Sequence, residues 1–298
     1  MTKLTLLALC ENNPSGSIPS SIGKMTKLST ICLLHNKLSG NLPSKMNNLT
    51  KLQSLQISNN NFKGHLPQDI CHGEVLAYIS ANQNHFSDPT PRSLKNFSGL
   101  RRVRLESNQF TGNIVDAFSV YPDLYYIDLS NNAFYGHLSP NSGKCHNLSS
   151  LKISNNHLSG CIPLELLEAT KLQRLDLSSN QLIGKIPKEL SQLSLLSELM
   201  LSNNQFSRNI SPNLISLKNL EQLSLANNHL SGSIPKKVGQ LIKLWALNLS
   251  KNKFYSLPSS FSQLQHLQFL DLSGNSFTGK NPNHAWRATT IGNVEPLT

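Results

Sequence analysis

The chain has 298 residues, a formal net charge of +11, 14% charged and 6% aromatic residues. It lacks any run of about 18 apolar residues, which excludes a hydrophobic membrane-spanning helix. So few charges and aromatics, with abundant Leu, Asn and Ser, are unusual for a compact globular enzyme, and the basic excess points to an acidic partner (nucleic acid, anionic polysaccharide or an acidic peptide) unless this is a basic secreted protein with no charge-specific partner.

In chain order, the first segment, MTKLTLLALC, looks like the start of a signal peptide: one lysine, then a short apolar run. Its Leu4, Leu7 and Leu9 fall in register with all that follows, so it reads as a repeat and not as a leader. LSSLKISNNHLSGCIP from Leu148 and LQRLDLSSNQLIGKIP from Leu172 share the pattern LxxLxLxxNxLxGxIP, 24 residues apart. Twelve repeats begin at Met1, Met25, Leu49, Gly73, Phe97, Tyr121, Cys145, Ala169, Leu193, Leu217, Leu241 and Leu264. The eleventh is one residue short, at KFYSLP, where the glycine slot is lost. Three apolar slots and one asparagine slot, from Asn12 to Asn275, are filled in all twelve. The pattern predicts an α/β leucine-rich-repeat solenoid. It would be curved, with a parallel β-sheet on the concave face and short helical or 3-10 turns on the convex face, over residues 1–287, uncapped at both ends and followed by an irregular tail at 288–298.

Each slot has a physical job. The leucines point inward and stack on the coils above and below, because one repeat cannot bury its apolar face alone. The asparagine sits where the strand ends; its amide donates and accepts, so it satisfies turn groups that would otherwise be buried unpaired and ties neighbouring coils together. The glycine permits positive φ or close approach, and the following IP keeps the chain extended.

In repeat 5, LRRVRLESNQFTGN places Arg102 and Arg104 on one side of a short strand and Val103 and Leu105 on the other. The same alternation sends a set of mostly polar residues to the concave face, the usual working surface of a solenoid. They are Ser54, Gln56 and Asn59 in repeat 3; Tyr78, Ser80 and His85; Arg102, Arg104 and Glu106; Tyr126 and Asp128; Lys152 and His157; Arg174 and Asp176; Glu198 and Met200 in repeat 9. Repeats 4 to 9 hold most of the charged and aromatic groups. At the strand spacing they span about 24 Å, the length of an extended peptide of about seven residues. Cross-strand pairing of Arg104 with Asp128 would be the plain structural use of that arginine, worth roughly 0.2–1 kcal/mol.

Asp128, Asp176 and Glu198 could mimic an acid/base pair, but no nucleophile accompanies them and no catalysis is expected. His85, His157 and His229 share one slot, three repeats or roughly 14 Å apart, too far to share a metal. No cofactor is expected. Five cysteines show no metal or redox spacing, and their odd number and scatter argue against a disulfide framework. Cys10 and Cys32 lie on adjacent strands at offset positions, about 8 Å apart by flat-sheet geometry, too far for a disulfide without movement. Acceptor sequons stand at Asn48, Asn96, Asn147, Asn209 and Asn248, glycan sites if the chain is secreted. Asn248 is on a concave strand, where a glycan would confine a ligand to earlier repeats.

NKLSGNLP, NHLSGCIP, NQLIGKIP and NHLSGSIP carry a resemblance to the plant extracellular type of leucine-rich repeat. Over residues 1–280 the chain resembles the ectodomain of plant leucine-rich-repeat receptor-like kinases. RVRLESNQFTGNI, YPDLYYIDLSNNAFYGHLSPN and LDLSSNQLIGKIPKEL look most like the male-discoverer-interacting group. The resemblance implies a non-catalytic extracellular recognition domain for defence or developmental signalling. Its partners would be a peptide or protein ligand on the concave face and a co-receptor with a leucine-rich-repeat ectodomain, and not nucleic acid. In several peptide-hormone receptors of this family an RxR pair on the concave strand holds the ligand's C-terminal carboxylate, and Arg102 and Arg104 match that pattern. Guanidinium suits the task, being a permanently charged planar fork. Such receptors carry a signal peptide, a cysteine-paired cap, a membrane helix and a kinase. Here the sequence begins inside a repeat, the pattern decays at GKNPNHAWRATTIGNVEPLT, and no kinase motif occurs. The expectation is a truncated or kinase-less relative, extracellular in its parent protein. A stand-alone protein like the polygalacturonase inhibitors, or a wall-binding protein, is the alternative, as is a non-functional truncated receptor.

Overall fold

The computed structural model describes residues 2–278. The chain coils so that each repeat lays one three-residue strand beside the last. These form one parallel sheet of twelve strands in sequence order, from Leu6–Ala8 through Arg102–Arg104 to Phe269–Asp271. Register advances by one repeat at every step: Tyr78 pairs with Arg102, Arg102 with Tyr126, and Ser150 with Arg174. Three residues per strand suffice because each is held on both sides.

The expected asparagine ladder is present. Asn180 Nδ2 donates to the carbonyls of Ile153 (2.9 Å), Leu177 (3.2 Å) and Ser178 (3.0 Å), and its Oδ1 accepts from Leu158 N–H at 2.9 Å. One side chain therefore closes its own turn and bonds two groups of the preceding coil. The same pattern recurs at Asn60, Asn132 and Asn252. The residue before the asparagine takes positive φ, from Glu11 at 55° to Lys251 at 51°.

The convex side carries short 3-10 turns such as Ser20–Lys24 and Lys188–Gln192, with α-helical turns at Arg92–Asn96 and Ile114–Ala117. Gly143 lies so close to the next coil that a Cβ would sit 1.7 Å from the Glu165 carbonyl oxygen. Inside, leucines and isoleucines stack in continuous rows, and Phe62, Phe86, Phe110 and Phe134 form a spine with ring centroids 6.1, 5.9 and 6.4 Å apart.

The LxGx segments after the asparagines pair as well, which the repeat pattern did not reveal. They make a four-stranded sheet from Ser15–Gly16 to His85–Phe86 and a seven-stranded sheet from Thr111–Asn113 to Lys253–Ser256. The gap falls at Asp88–Pro91, where Pro89 and Pro91 supply no N–H; a single bridge, Pro89 to Thr111, spans it. In the short eleventh repeat the pairing slips opposite Gly232 and Ser233, skipping Tyr255.

One cysteine expectation is corrected. Cys10 and Cys32 form a disulfide, with Cα atoms 5.7 Å apart, inside the usual range. The flat-sheet distance fails because Cys10 lies beyond the end of its strand, where the chain has already turned. Cys71 and Cys145 are buried and Cys161 is exposed. The proposed boundary at 287/288 and the tail lie outside the described residues. Among those described, no helix is long and apolar enough to cross a membrane.

Candidate ligand-binding face

Strand register lays the concave side chains out in two parallel rows. One runs Ser54, Tyr78, Arg102, Tyr126, Ser150, Arg174, Glu198. The other runs Gln56, Ser80, Arg104, Asp128, Lys152, Asp176, Met200. The residues singled out in the sequence therefore share one face, but they divide into smaller groups.

Arg102 sits between two tyrosines. Its guanidinium carbon lies 5.0 Å from the Tyr126 ring centroid, a cation–π contact of about 0.5–1 kcal/mol at an exposed site. On its other side is Tyr78, with 37% of its surface exposed. Arg104, two residues on, forms its ion pair and hydrogen bond with Glu106 of its own repeat, and no Arg104–Asp128 ion pair forms among the described residues. The expected Arg104–Asp128 pair is thus replaced, for a geometric reason. Asp128 is engaged at home, its Oδ1 accepting from Ser130 N–H at 3.0 Å and its Oδ2 from Tyr126 O–H at 3.3 Å.

Glu106 is 8% exposed and occupies the rim slot that Ser58, Ser130, Ser154 and Ser178 fill in other repeats. Burial pushes its carboxyl above the ordinary carboxylate range. The Arg104 hydrogen bond opposes this, and the Asp128 charge adds to it. Burial raises the Tyr126 phenol too, aided by the Asp128 and Glu106 charges. The pair is incomplete: Arg104 Nε and Glu106 Oε2 are both buried without a hydrogen-bond partner among the described residues.

Further along, Asp176 Oδ1 accepts from Ser178 N–H (3.0 Å) and Oγ (2.7 Å), closing the strand end as Asp271 does with Ser273. The sequence signal for this cap, a D-x-S spacing at the strand end, was not among the features singled out above. Arg174 Nε lies 4.0 Å from Glu198, which also accepts from Gln222 at 3.3 Å. Lys152 forms no ion pair among the described residues. On the N-terminal side of the arginines the face sinks into a depression of about 510 Å³, bounded by His35, Gln56, Asn59, Tyr78, Ser80, Arg102 and Arg104. His35 and Thr30, which also line it, were not singled out from the sequence, although they belong to the same strand-and-turn pattern.

The sequon residues Asn48, Asn96, Asn147 and Asn209 are exposed. Asn147 is held on both sides, donating to Pro122 O at 3.0 Å and accepting from Lys171 at 2.7 Å. Asn248 is half-buried, its Oδ1 accepting from Ser250 N–H and Oγ.

Family models described as leucine-rich repeat match residues 218–277 and 51–72, 147–168 and 171–193. A search of curated proteins finds no match. Among solved structures, the chain is similar to a TDR receptor, with TM-score 0.88 and 32% identity over 95% of this chain and 49% of that one. It is similar to the plant peptide hormone receptor RGFR1 in complex with RGF2, with TM-score 0.80 and 27% identity over 91% of this chain and 52% of that one. A third is the Arabidopsis receptor kinase HAESA in complex with the peptide hormone IDA and the co-receptor SERK1, with TM-score 0.78 and 29% identity over 93% and 54%. The chain spans about half the length of these relatives. Repeat pattern, strand register and these matches agree: the chain is a leucine-rich-repeat solenoid whose structural relatives include the ectodomains of plant receptor kinases.

Proposed function

We propose that this solenoid is a non-catalytic extracellular recognition domain that binds a peptide on its concave face, with Arg102 and Arg104 receiving the peptide's C-terminal carboxylate. The observation that carries the reading is the placement of two adjacent guanidinium groups, flanked by Tyr78 and Tyr126, at the edge of an open polar depression. Tyr78, Ser80, Tyr126, Lys152, Arg174 and Glu198 extend the same face along the direction a bound peptide would follow. The likeness to RGFR1 and HAESA, whose structures contain peptide hormones, supports the ligand class. The co-receptor in the HAESA structure supports a second partner of its kind. Signalling, glycosylation at the exposed sequons and attachment to a membrane in the parent protein belong to the same proposal.

The test is peptide binding with free and amidated C-termini. Loss of charge-assisted hydrogen bonds of about 1.5–3 kcal/mol each would weaken the R102A/R104A double variant by about a hundredfold or more. Amidation would do the same to the parent protein. Equal binding by the double variant overturns the carboxylate assignment. The basic charge favours one competing reading, a wall-binding protein; retention on polygalacturonate that salt abolishes, with no peptide bound, would support it instead.

A further inference from the structure

We infer that Glu106 is a built-in substitute for the ligand's carboxylate: it occupies Arg104 in the free protein and releases it on protonation, so that carboxylate capture at this site takes up a proton and tightens in acid. The inference rests on the binding reading above and adds its regulation.

Four observations carry it. Arg104, one half of the arginine pair, is already paired with a carboxylate, that of Glu106. That carboxylate is out of place in its repeat, since the same rim slot holds a serine in repeats 3, 6, 7 and 8. A serine there closes neighbouring coils, as Ser130 does by accepting from Ser154 N–H at 3.2 Å; Glu106 instead reaches along its own strand to an arginine. The pair is also half-made, with Arg104 Nε and Glu106 Oε2 both buried and unpartnered among the described residues. Oε2, with no donor holding it, is the oxygen that would carry a proton. Finally, the surroundings favour the neutral acid. The groups facing Glu106 are Arg104 on its own strand and Asp128 and Tyr126 from the next, while Ser80, in register with Arg104 on the preceding strand, is uncharged. Arginine stabilises the carboxylate, but burial and Asp128 oppose it.

The sequence of events is simple. At neutral pH an incoming carboxylate must displace Glu106, leaving a buried, unpaired charge, which is costly. At acid pH Glu106 takes a proton from solvent on Oε2, becomes neutral, and Arg104, still cationic, turns to the ligand. Arg102, stacked on Tyr126, forms no ion pair among the described residues and stays available throughout.

Trifluoroacetate is a suitable probe, being a carboxylate that stays ionised across the range and is read directly by 19F NMR. It would be titrated at pH 4.5 and 7.5 into the parent chain and the E106Q and R104Q variants. The Arg104-dependent part of binding is the difference from R104Q. In the parent chain it is expected to be at least about tenfold tighter at pH 4.5, since one linked proton changes affinity about tenfold for each pH unit over which it is taken up. In E106Q it should be equally tight at both values. Arg104-dependent binding that ignores pH in the parent, or a pH dependence that survives in E106Q, overturns the proposal and leaves the carboxylate reading standing. Absence of any Arg104-dependent binding in E106Q overturns the carboxylate reading itself. A measurement without ligand decides independently: a 13C-carboxyl resonance removed by E106Q should titrate above the ordinary glutamate range, and titration below it would refute the proton switch.

Discussion

At the scale of single residues, two side chains stand where the repeat would place something else. Glu106 replaces a serine, and its raised carboxyl pKa is a statement about stability. The folded chain holds this proton where the unfolded chain, titrating near the ordinary 4.5, has released it. The associated stability is therefore complete below that value and is lost as pH rises through the higher folded value. Urea unfolding across this window should show the parent losing stability relative to E106Q as pH increases; parallel curves would contradict the assignment. Arg208 replaces the glycine of its repeat and is held at φ 74°, a conformation costing a residue with a side chain roughly 1–2 kcal/mol. Glycine gives back about 0.5–1 kcal/mol through its freer unfolded chain. R208G is therefore expected to stabilise the protein by about 0.5 kcal/mol, read as a higher urea midpoint at unchanged slope.

At the scale of elements, what repeats most faithfully is also what bonds across coils. Each asparagine joins two turns, so its removal is felt in both. N180A strips the partner from the Leu158 N–H in the preceding repeat, while the Ile153 carbonyl there keeps the Asn156 amide at 3.4 Å. At about 1–3 kcal/mol for a buried donor left unpaired, the variant should lose about 1–3 kcal/mol by denaturant unfolding. A loss under half a kilocalorie would mean that water or a relaxed turn replaces the amide. The second sheets show the complementary case. They form wherever the LxGx segments have donors to offer and stop at Pro89 and Pro91, where donors are absent. The spine of stacked phenylalanines runs straight across that gap, from Phe86 to Phe110, so the core continues where the surface ladder does not.

At the scale of the whole molecule, each coil touches only its neighbours, and stability is close to a sum of repeat and interface contributions. The central coils are sealed, with Leu177 and Leu201 at 0% exposure, whereas Leu9, in the same slot of the first coil, is 46% exposed. Amide hydrogen exchange of the 298-residue chain should be slowest around Arg174–Asp176 and Glu198–Met200 and fastest at Leu6–Ala8 and Phe269–Asp271. The Cys10–Cys32 link ties the first coil to the second, so reduction should speed exchange at the N-terminal coils alone. Uniform exchange throughout would show one cooperative unit.

The repeat, its inward leucines, the asparagine ladder and the concave placement of Arg102, Arg104 and Tyr126 were all legible in the sequence, because strand alternation and a 24-residue period fix which way each side chain points. Tertiary structure decided what those side chains then hold. The choice of Glu106 over Asp128 as partner of Arg104 depends on Asp128 being used by Ser130 and Tyr126, which no spacing rule encodes. The Cys10–Cys32 bond depends on a turn just past a strand end, and the second sheets depend on a stagger between coils. Periodicity determines direction; competition among neighbours for donors, acceptors and charge is settled only once the coils are stacked.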